Sequence, residues 1–131
     1  MIIGIGNDIV TIKRIENNLK KFGDKFLNKY FTDNEISYAK AKKGKNYYAS
    51  IASAWAVKEA TAKAMGTGIS NDITLSSISL NRDSNGKPFV ILKNGALNKL
   101  NLLSDGKNYR IFVSITHDAG LVCAVVIIEK E

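Results

Sequence analysis

Asp8, in the run Gly4-Ile5-Gly6-Asn7-Asp8-Ile9-Val10, and Lys58, Glu59 and Lys63, in Trp55-Ala56-Val57-Lys58-Glu59-Ala60-Thr61-Ala62-Lys63-Ala64-Met65, are the residues whose types and spacing invite chemistry. Two carboxylates and two lysines among small and apolar residues suit a divalent cation bound beside a phosphate-bearing ligand. Mg2+ takes hard oxygens, commonly one or two carboxylates, with water and phosphate oxygens filling its remaining positions. Each residue also has an ordinary explanation. Glu59 and Lys63 stand four apart, hence on one helix face, where Glu/Lys pairs are common surface features, and Asp8 could cap a turn or a helix.

The elements that must position these groups are legible from patterning. Met1 to Gly6 is an apolar opening of strand length, with Gly4 and Gly6 where backbone must pass closely or turn, and Asp8 just past its end. Ile12, Ile15 and Leu19 recur at spacings of three and four, which predicts an amphipathic helix from Thr11 to about Leu19. Phe22 to Phe31 is aromatic-rich. Thr32-Asp33-Asn34-Glu35 reads as a capping box opening a helix to about Lys42. A long Ala-rich helix follows from about Tyr47 to Met65, stopped by Gly66-Thr67-Gly68. Short strands come next: Ile73 to Leu80, a turn at Asp83-Ser84-Asn85-Gly86, and Pro88 to Leu92. After a short helix from about Gly95 to Leu102, Tyr109 to Thr116 and Leu121 to Ile128 flank His117-Asp118-Ala119-Gly120 as a hairpin. The order predicts an α+β fold, a mainly antiparallel sheet packed with the long Ala-rich helix and shorter helices.

At 131 residues and 45% hydrophobic content the chain supports one core, so a single domain over residues 1–131 is expected. The one cysteine, Cys123, excludes an internal disulfide and suits a reducing compartment. No signal-peptide pattern and no apolar run near the roughly 20 residues of a membrane span is present, so a cytoplasmic protein without membrane attachment is expected. Net charge is +7, and residues 1–63 hold 12 Lys/Arg against 6 Asp/Glu. That field would attract an acidic protein, a polyphosphate cofactor or nucleic acid. No RNA- or DNA-binding motif accompanies it, and a small basic nucleic-acid-binding domain stands as the alternative reading.

The acid near the first strand, the W-x-x-K-E-A run at Trp55 to Ala60, Phe31-Thr32 with Glu35 (F-T-x-x-E) and Val113-Ser114-Ile115-Thr116-His117 together resemble the holo-[acyl-carrier-protein] synthase family of 4′-phosphopantetheinyl transferases, over nearly the whole chain. The resemblance implies that fold, and an enzyme of fatty acid biosynthesis. Such an enzyme moves 4′-phosphopantetheine from coenzyme A to a serine of apo acyl carrier protein and releases adenosine 3′,5′-bisphosphate. It implies Mg2+ on Asp8 and Glu59, a catalytic set of Asp8, Glu59 and Lys63, and coenzyme A contacts from Lys63, Asn85, Gly86, Lys87, Pro88, Ser114, Thr116 and His117. The carrier protein would dock on the basic first helix at Lys13, Arg14, Lys20 and Lys21, and a homotrimer would share active sites between subunits. Lys58 ranks below Lys63 as a phosphate or partner contact, and the serine's proton could go to Glu35 or to Asp8 through water. The chain departs from the family at Ala54, where an arginine is common and Lys45 could substitute, and at Asp118, where the pattern has threonine. The first departure leaves a non-catalytic relative, binding coenzyme A or carrier protein only, as a further alternative.

Overall fold

In the computed structural model, which describes residues 1–131, the chain opens with strand β1 over Ile2–Thr11. The strand outruns the predicted Met1–Gly6 because its whole length pairs antiparallel with β5, Leu121–Lys130. Asp8 therefore lies inside the strand, opposite Ala124, and not past its end. β5 pairs in turn with β4, Tyr109–Asp118, giving a three-stranded sheet of order β1-β5-β4. His117 and Asp118 belong to β4. The turn is only Ala119-Gly120, at φ of 52° and 78°, the positive values a two-residue hairpin turn uses to match strand twist. The first and last strands are neighbours, and the Met1 ammonium donates to Lys130 O at 2.7 Å.

Thr11 caps helix α1, Ile12–Phe22, its hydroxyl accepting from Arg14 N, and Ile15 and Leu19 are buried as their spacing predicts. The aromatic segment is helix α2, Asp24–Tyr30, which delivers Phe26 onto Trp55 with ring centroids 5.9 Å apart. The capping box forms: Thr32 Oγ1 accepts from Glu35 N, Glu35 Oε1 accepts from Thr32 N at 2.8 Å, and helix α3 runs over Asp33–Lys40. Helix α4 covers Lys45–Ala64. The predicted strand Ile73–Leu80 divides into a 3₁₀ turn, Leu75–Ser77, and strand β2, Ile78–Arg82. The cause is local: Ser77 Oγ donates to Thr74 O at 2.7 Å, a side-chain bond that competes with extended backbone. β2 pairs with β3, Pro88–Leu92, in a second small antiparallel sheet, and α5 covers Asn94–Leu103.

Helix α4 lies between the layers, packed on β1 and β5 on one side and on α3 and β2 on the other. Its alanines permit that approach, and the sheet answers with glycines. A methyl group on Gly4 would collide with Ala64 O, and one on Gly6 with Ala60 O. Strand and helix are thus in backbone contact at the turn of α4 that carries Glu59 and Lys63. The opposite face of the sheet is bare and apolar: Ile5 is 67% exposed, Ile9 62%, Phe112 46% and Leu121 39%. No helix is long and apolar enough to cross a membrane.

Candidate active site

Alternation in β1 turns Gly6, Asp8 and Val10 toward α4, while Ile5, Asn7 and Ile9 face outward. Because Gly6 lets α4 close in, the last turns of the helix bring Glu59 and Lys63 over Asp8. Lys63 Nζ lies 3.2 Å from Asp8 Oδ1 and donates to Asn7 O at 3.1 Å. The Asp8 side chain is 16% exposed and that of Lys63 50%, so the pair sits at a rim open to a ligand. Burial raises the pKa of Glu59 above the usual carboxylate range, the nearby Asp8 charge adds to the rise, and Lys63 and Arg14 oppose it. Two carboxylates that repel each other in a half-buried site are ready for a cation. The donors are hard oxygens only, and no third His, Cys, Asp or Glu joins them. That set fits Mg2+, which leaves most of its coordination sphere to water and substrate phosphates, and fits poorly a metal that needs a full protein cage.

Arg14 belongs to this site as well as to the basic helix. Its guanidinium lies 5.5 Å from the centre of the Trp55 ring, one turn before Glu59 on α4. The other basic residues of α1 stay at the surface. Lys13 and Lys20 pair with Glu16 at 3.9 and 2.9 Å, and Lys21 lies over Phe22.

Lys58, next in sequence to Glu59, points the other way and is completely buried. Its ammonium is 2.7 Å from Glu35 Oε1 and donates to Leu75 O and Ile78 O. Burial lowers the pKa of Lys58 and the Glu35 carboxylate opposes that fall. Glu35 Oε2 accepts from Leu80 N at 2.8 Å. The phosphate or partner contact read for Lys58 from sequence is thereby replaced by a structural role, since neither of those ligands can reach it. Glu35, 4% exposed with both oxygens engaged, is likewise closed to a substrate proton.

The remaining sequence-predicted residues fall into three places. Asn85, Gly86 and Lys87 lie in the β2–β3 turn and Pro88 opens β3; Asp83 takes the N–H groups of Asn85, Gly86 and Lys87. The turn's N–H groups are thus taken internally, and it presents the exposed side chains of Asn85 and Lys87. Ser114 and Thr116 alternate onto the outer face of the sheet, in rows with Val125 and Cys123. His117 takes the inner face, in the row Val10–Val122–His117, two strands and so roughly 10 Å across the sheet from β1. It lines a cavity of about 290 Å³ with Tyr38, Lys42, Asn46, Ser53 and Arg82. Ser50, also on that cavity, is nine residues before Glu59, roughly half a turn around α4. Within one chain, then, the carboxylate pair and the His117 cavity occupy opposite sides of one helix. Sequence reasoning missed Tyr38 and Arg82 in that cavity, because nothing in their spacing ties β2 to α3. Lys45, read as a possible substitute for the arginine absent at position 54, is exposed at the start of α4.

A family model described as the 4'-phosphopantetheinyl transferase superfamily matches residues 4–126, and the chain belongs to that superfamily. The chain is 44% identical over 130 residues to a holo-[acyl-carrier-protein] synthase of Sinorhizobium fredii, covering 98% of this chain and 92% of that protein. It is 40% identical to that of Gluconobacter oxydans, with 99% and 83% covered. The crystal structure of a holo-[acyl-carrier-protein] synthase from Neisseria meningitidis superposes with a TM-score of 0.83 at 36% identity, covering 99% of this chain and 100% of that one. One from Bacillus anthracis, in complex with CoA (3',5'-ADP), gives 0.81 at 34%, with 100% and 99% covered. Within the superfamily the chain is thus an enzyme of the holo-[acyl-carrier-protein] synthase family.

Proposed function

We propose that this enzyme moves the 4′-phosphopantetheine group of coenzyme A onto a serine hydroxyl of apo acyl carrier protein, using Mg2+ held by Asp8 and Glu59. The observation that carries the reading is the placement of two mutually repelling carboxylates and a half-exposed lysine on one rim. The serine oxygen attacks the β-phosphorus. The bond from that phosphorus to the oxygen bridging the two phosphates breaks, and adenosine 3′,5′-bisphosphate departs. Bound Mg2+ would supply charge neutralisation for the pyrophosphate and for the leaving group. Lys63 adds a point charge within reach of a phosphate oxygen, and Arg14, over Trp55, adds a second at the entrance. The serine's proton falls to the Asp8–Glu59 pair, directly or through water.

The carrier protein is acidic in this reading and meets Lys13, Arg14, Lys20 and Lys21 on α1. Steering by these exposed charges speeds encounter more than it tightens binding. The enzyme works as a homotrimer. A bare apolar sheet face carrying Ile5, Ile9 and Phe112 is of the kind that association covers. Self-association would also bring the His117 cavity of one copy to the carboxylates of the next. Coenzyme A, which the relatives from Bacillus anthracis and Helicobacter pylori are described as binding, would then lie between subunits.

Purified protein incubated with coenzyme A and apo acyl carrier protein, with Mg2+ or with chelator, tests the whole reading. The carrier's intact mass should gain one phosphopantetheine group only when Mg2+ is present. No gain with a carrier that a known transferase does modify would overturn it.

A further inference from the structure

The two lysines of the W-x-x-K-E-A run and its extension are held in opposite ways. Lys58 is sealed in the core, its ammonium on Glu35 and two carbonyls. Lys63 reaches over the rim: its Nζ lies 3.2 Å from Asp8 Oδ1 and donates to Asn7 O at 3.1 Å, with half of its side chain in solvent. Only these two contacts fix the end of a long flexible stem. The ammonium can therefore leave by rotation about its own bonds, without unpacking the core.

Lys63 is the one hydrogen-bond and ion-pair partner of the Asp8 carboxylate, and Glu59, one turn earlier on the same helix face, has no ion pair at all. With its own positive charge Lys63 thus occupies the oxygen that Mg2+ would take in the reading above. The two cannot share it. A ligand oxygen lies about 2.0–2.1 Å from Mg2+, and an ammonium kept at hydrogen-bond distance from that oxygen would face a double positive charge at close range. An exposed pair of this kind is weak, about fivefold or less in an equilibrium constant, so a stronger anion displaces it. The pyrophosphate of coenzyme A is such an anion: it gives the ammonium a charge-assisted partner and leaves Asp8 Oδ1 free.

We propose that Lys63 holds Asp8 until substrate arrives, and that its passage from Asp8 to the pyrophosphate makes metal binding conditional on coenzyme A. The inference rests on the coenzyme A and Mg2+ readings above. Lys63 is then a positioning residue as well as a phosphate contact. It compensates the two carboxylates in the unliganded site and releases one of them when pyrophosphate enters. Linkage makes the effect mutual: metal tightens coenzyme A by the same factor by which coenzyme A tightens metal.

Mn2+ binding to the assembled enzyme, followed by the electron paramagnetic resonance signal of the free ion, reads this coupling without carrier protein and so without transfer. Wild type should bind Mn2+ more tightly with saturating coenzyme A than alone, by a factor within the roughly 5–150-fold of typical coupling. Lys63→Ala should bind Mn2+ alone about fivefold more tightly than wild type, and its coupling factor should fall by at least about that much. Lys63→Arg, which keeps the charge, should stay near wild type. Lys107→Gln removes an exposed charge just before β4 and should leave both affinities within about twofold, since distant surface charges are screened. Melting curves give a second reading: Lys63→Ala should have the lower Tm without divalent ions and gain more from added Mg2+ than wild type gains. A folded Lys63→Ala enzyme that binds Mn2+ alone no more tightly than wild type, or that keeps the wild-type coupling, overturns the proposal. Mn2+ binding to neither protein, with or without coenzyme A, would overturn the metal reading of Asp8 and Glu59 and the proposal with it. Coupling that depends on Lys63, in an enzyme that transfers nothing to a competent carrier, would overturn the transferase reading and leave the proposal standing.

Discussion

Lys58→Met asks whether the lysine beside Glu59 takes part in the reaction or holds the fold together. Methionine keeps most of the buried stem and removes the ammonium, so packing is largely retained while three contacts go: the pair with Glu35 Oε1 at 2.7 Å and the bonds to Leu75 O and Ile78 O. Glu35 is left buried with only Thr32 N and Leu80 N to hold its charge. Removing one member of a buried pair costs about 3–5 kcal/mol, a large share of the roughly 5–15 kcal/mol that a protein of this size commands. At about 4 °C per kcal/mol, Tm should fall by roughly 10–20 °C. Glu35→Gln should cost a similar amount and add a pH dependence. Without the carboxylate that opposes the effect of burial, the Lys58 pKa falls further, the unfolded state binds more protons than the folded one, and stability rises with pH. The double variant Lys58→Met/Glu35→Gln leaves no charge behind and should recover part of the loss, so its cost is well below the sum of the singles. Scanning calorimetry and urea titration give the stabilities, and transfer measured well below each Tm gives activity per folded molecule. That activity should stay within about threefold of wild type for Lys58→Met. A variant with unchanged Tm and abolished transfer would refute the reasoning and return Lys58 to the chemistry.

Other expectations follow from the same geometry. Glu59→Gln should lower transfer by at least about a hundredfold while raising the Tm of the metal-free protein, since it removes a charge that burial and Asp8 both disfavour. By the same sign, wild-type metal-free protein should lose stability as pH rises through and above the ordinary carboxylate range, a loss that Mg2+ addition reverses and that melts at stepped pH will detect. Gly6→Val should unfold the protein or cost at least about 3 kcal/mol, because its side chain would fall on the backbone of Ala60; denaturant titration reports it. Phe112→Glu on the bare sheet face should yield a folded monomer in sedimentation experiments, with transfer reduced in proportion to the sites lost.

Much of this arrangement can be read from residue order. The capping box at Thr32 and Glu35, the Ile15/Leu19 spacing, the Ala-rich helix and the tight turn before Leu121 are local signals, and local hydrogen bonds or periodicity decide them. Asp8, Glu59 and Lys63 could be grouped because the helix period fixes the last two and a resemblance links the first. What escaped was set by partners remote in sequence. The true length of β1 depends on β5. Lys58 looks like a surface lysine until β2 and the 3₁₀ turn close over it. Arg82 meets Tyr38 only because α3 and β2 pack together. Nor does residue order disclose that Asp83 folds back on the N–H groups of Asn85 and Lys87.

The pairing of the first strand with the last has a consequence for the order in which the enzyme comes into being. Asp8 lies opposite Ala124, and Met1 opposite the far end of β5. At synthesis rates of about 5–20 residues per second, the acid leaves the ribosome many seconds before the strand that holds it. Until then α1 to α4 can form from local contacts, but the edge of β1 stays unpaired and its apolar residues uncovered. The corner that holds Asp8 and Glu59 is therefore among the last parts of the nascent chain to become native. A ribosome stalled before residue 121 would present a helical intermediate with an open strand edge, the kind of species that chaperones hold and that aggregation claims.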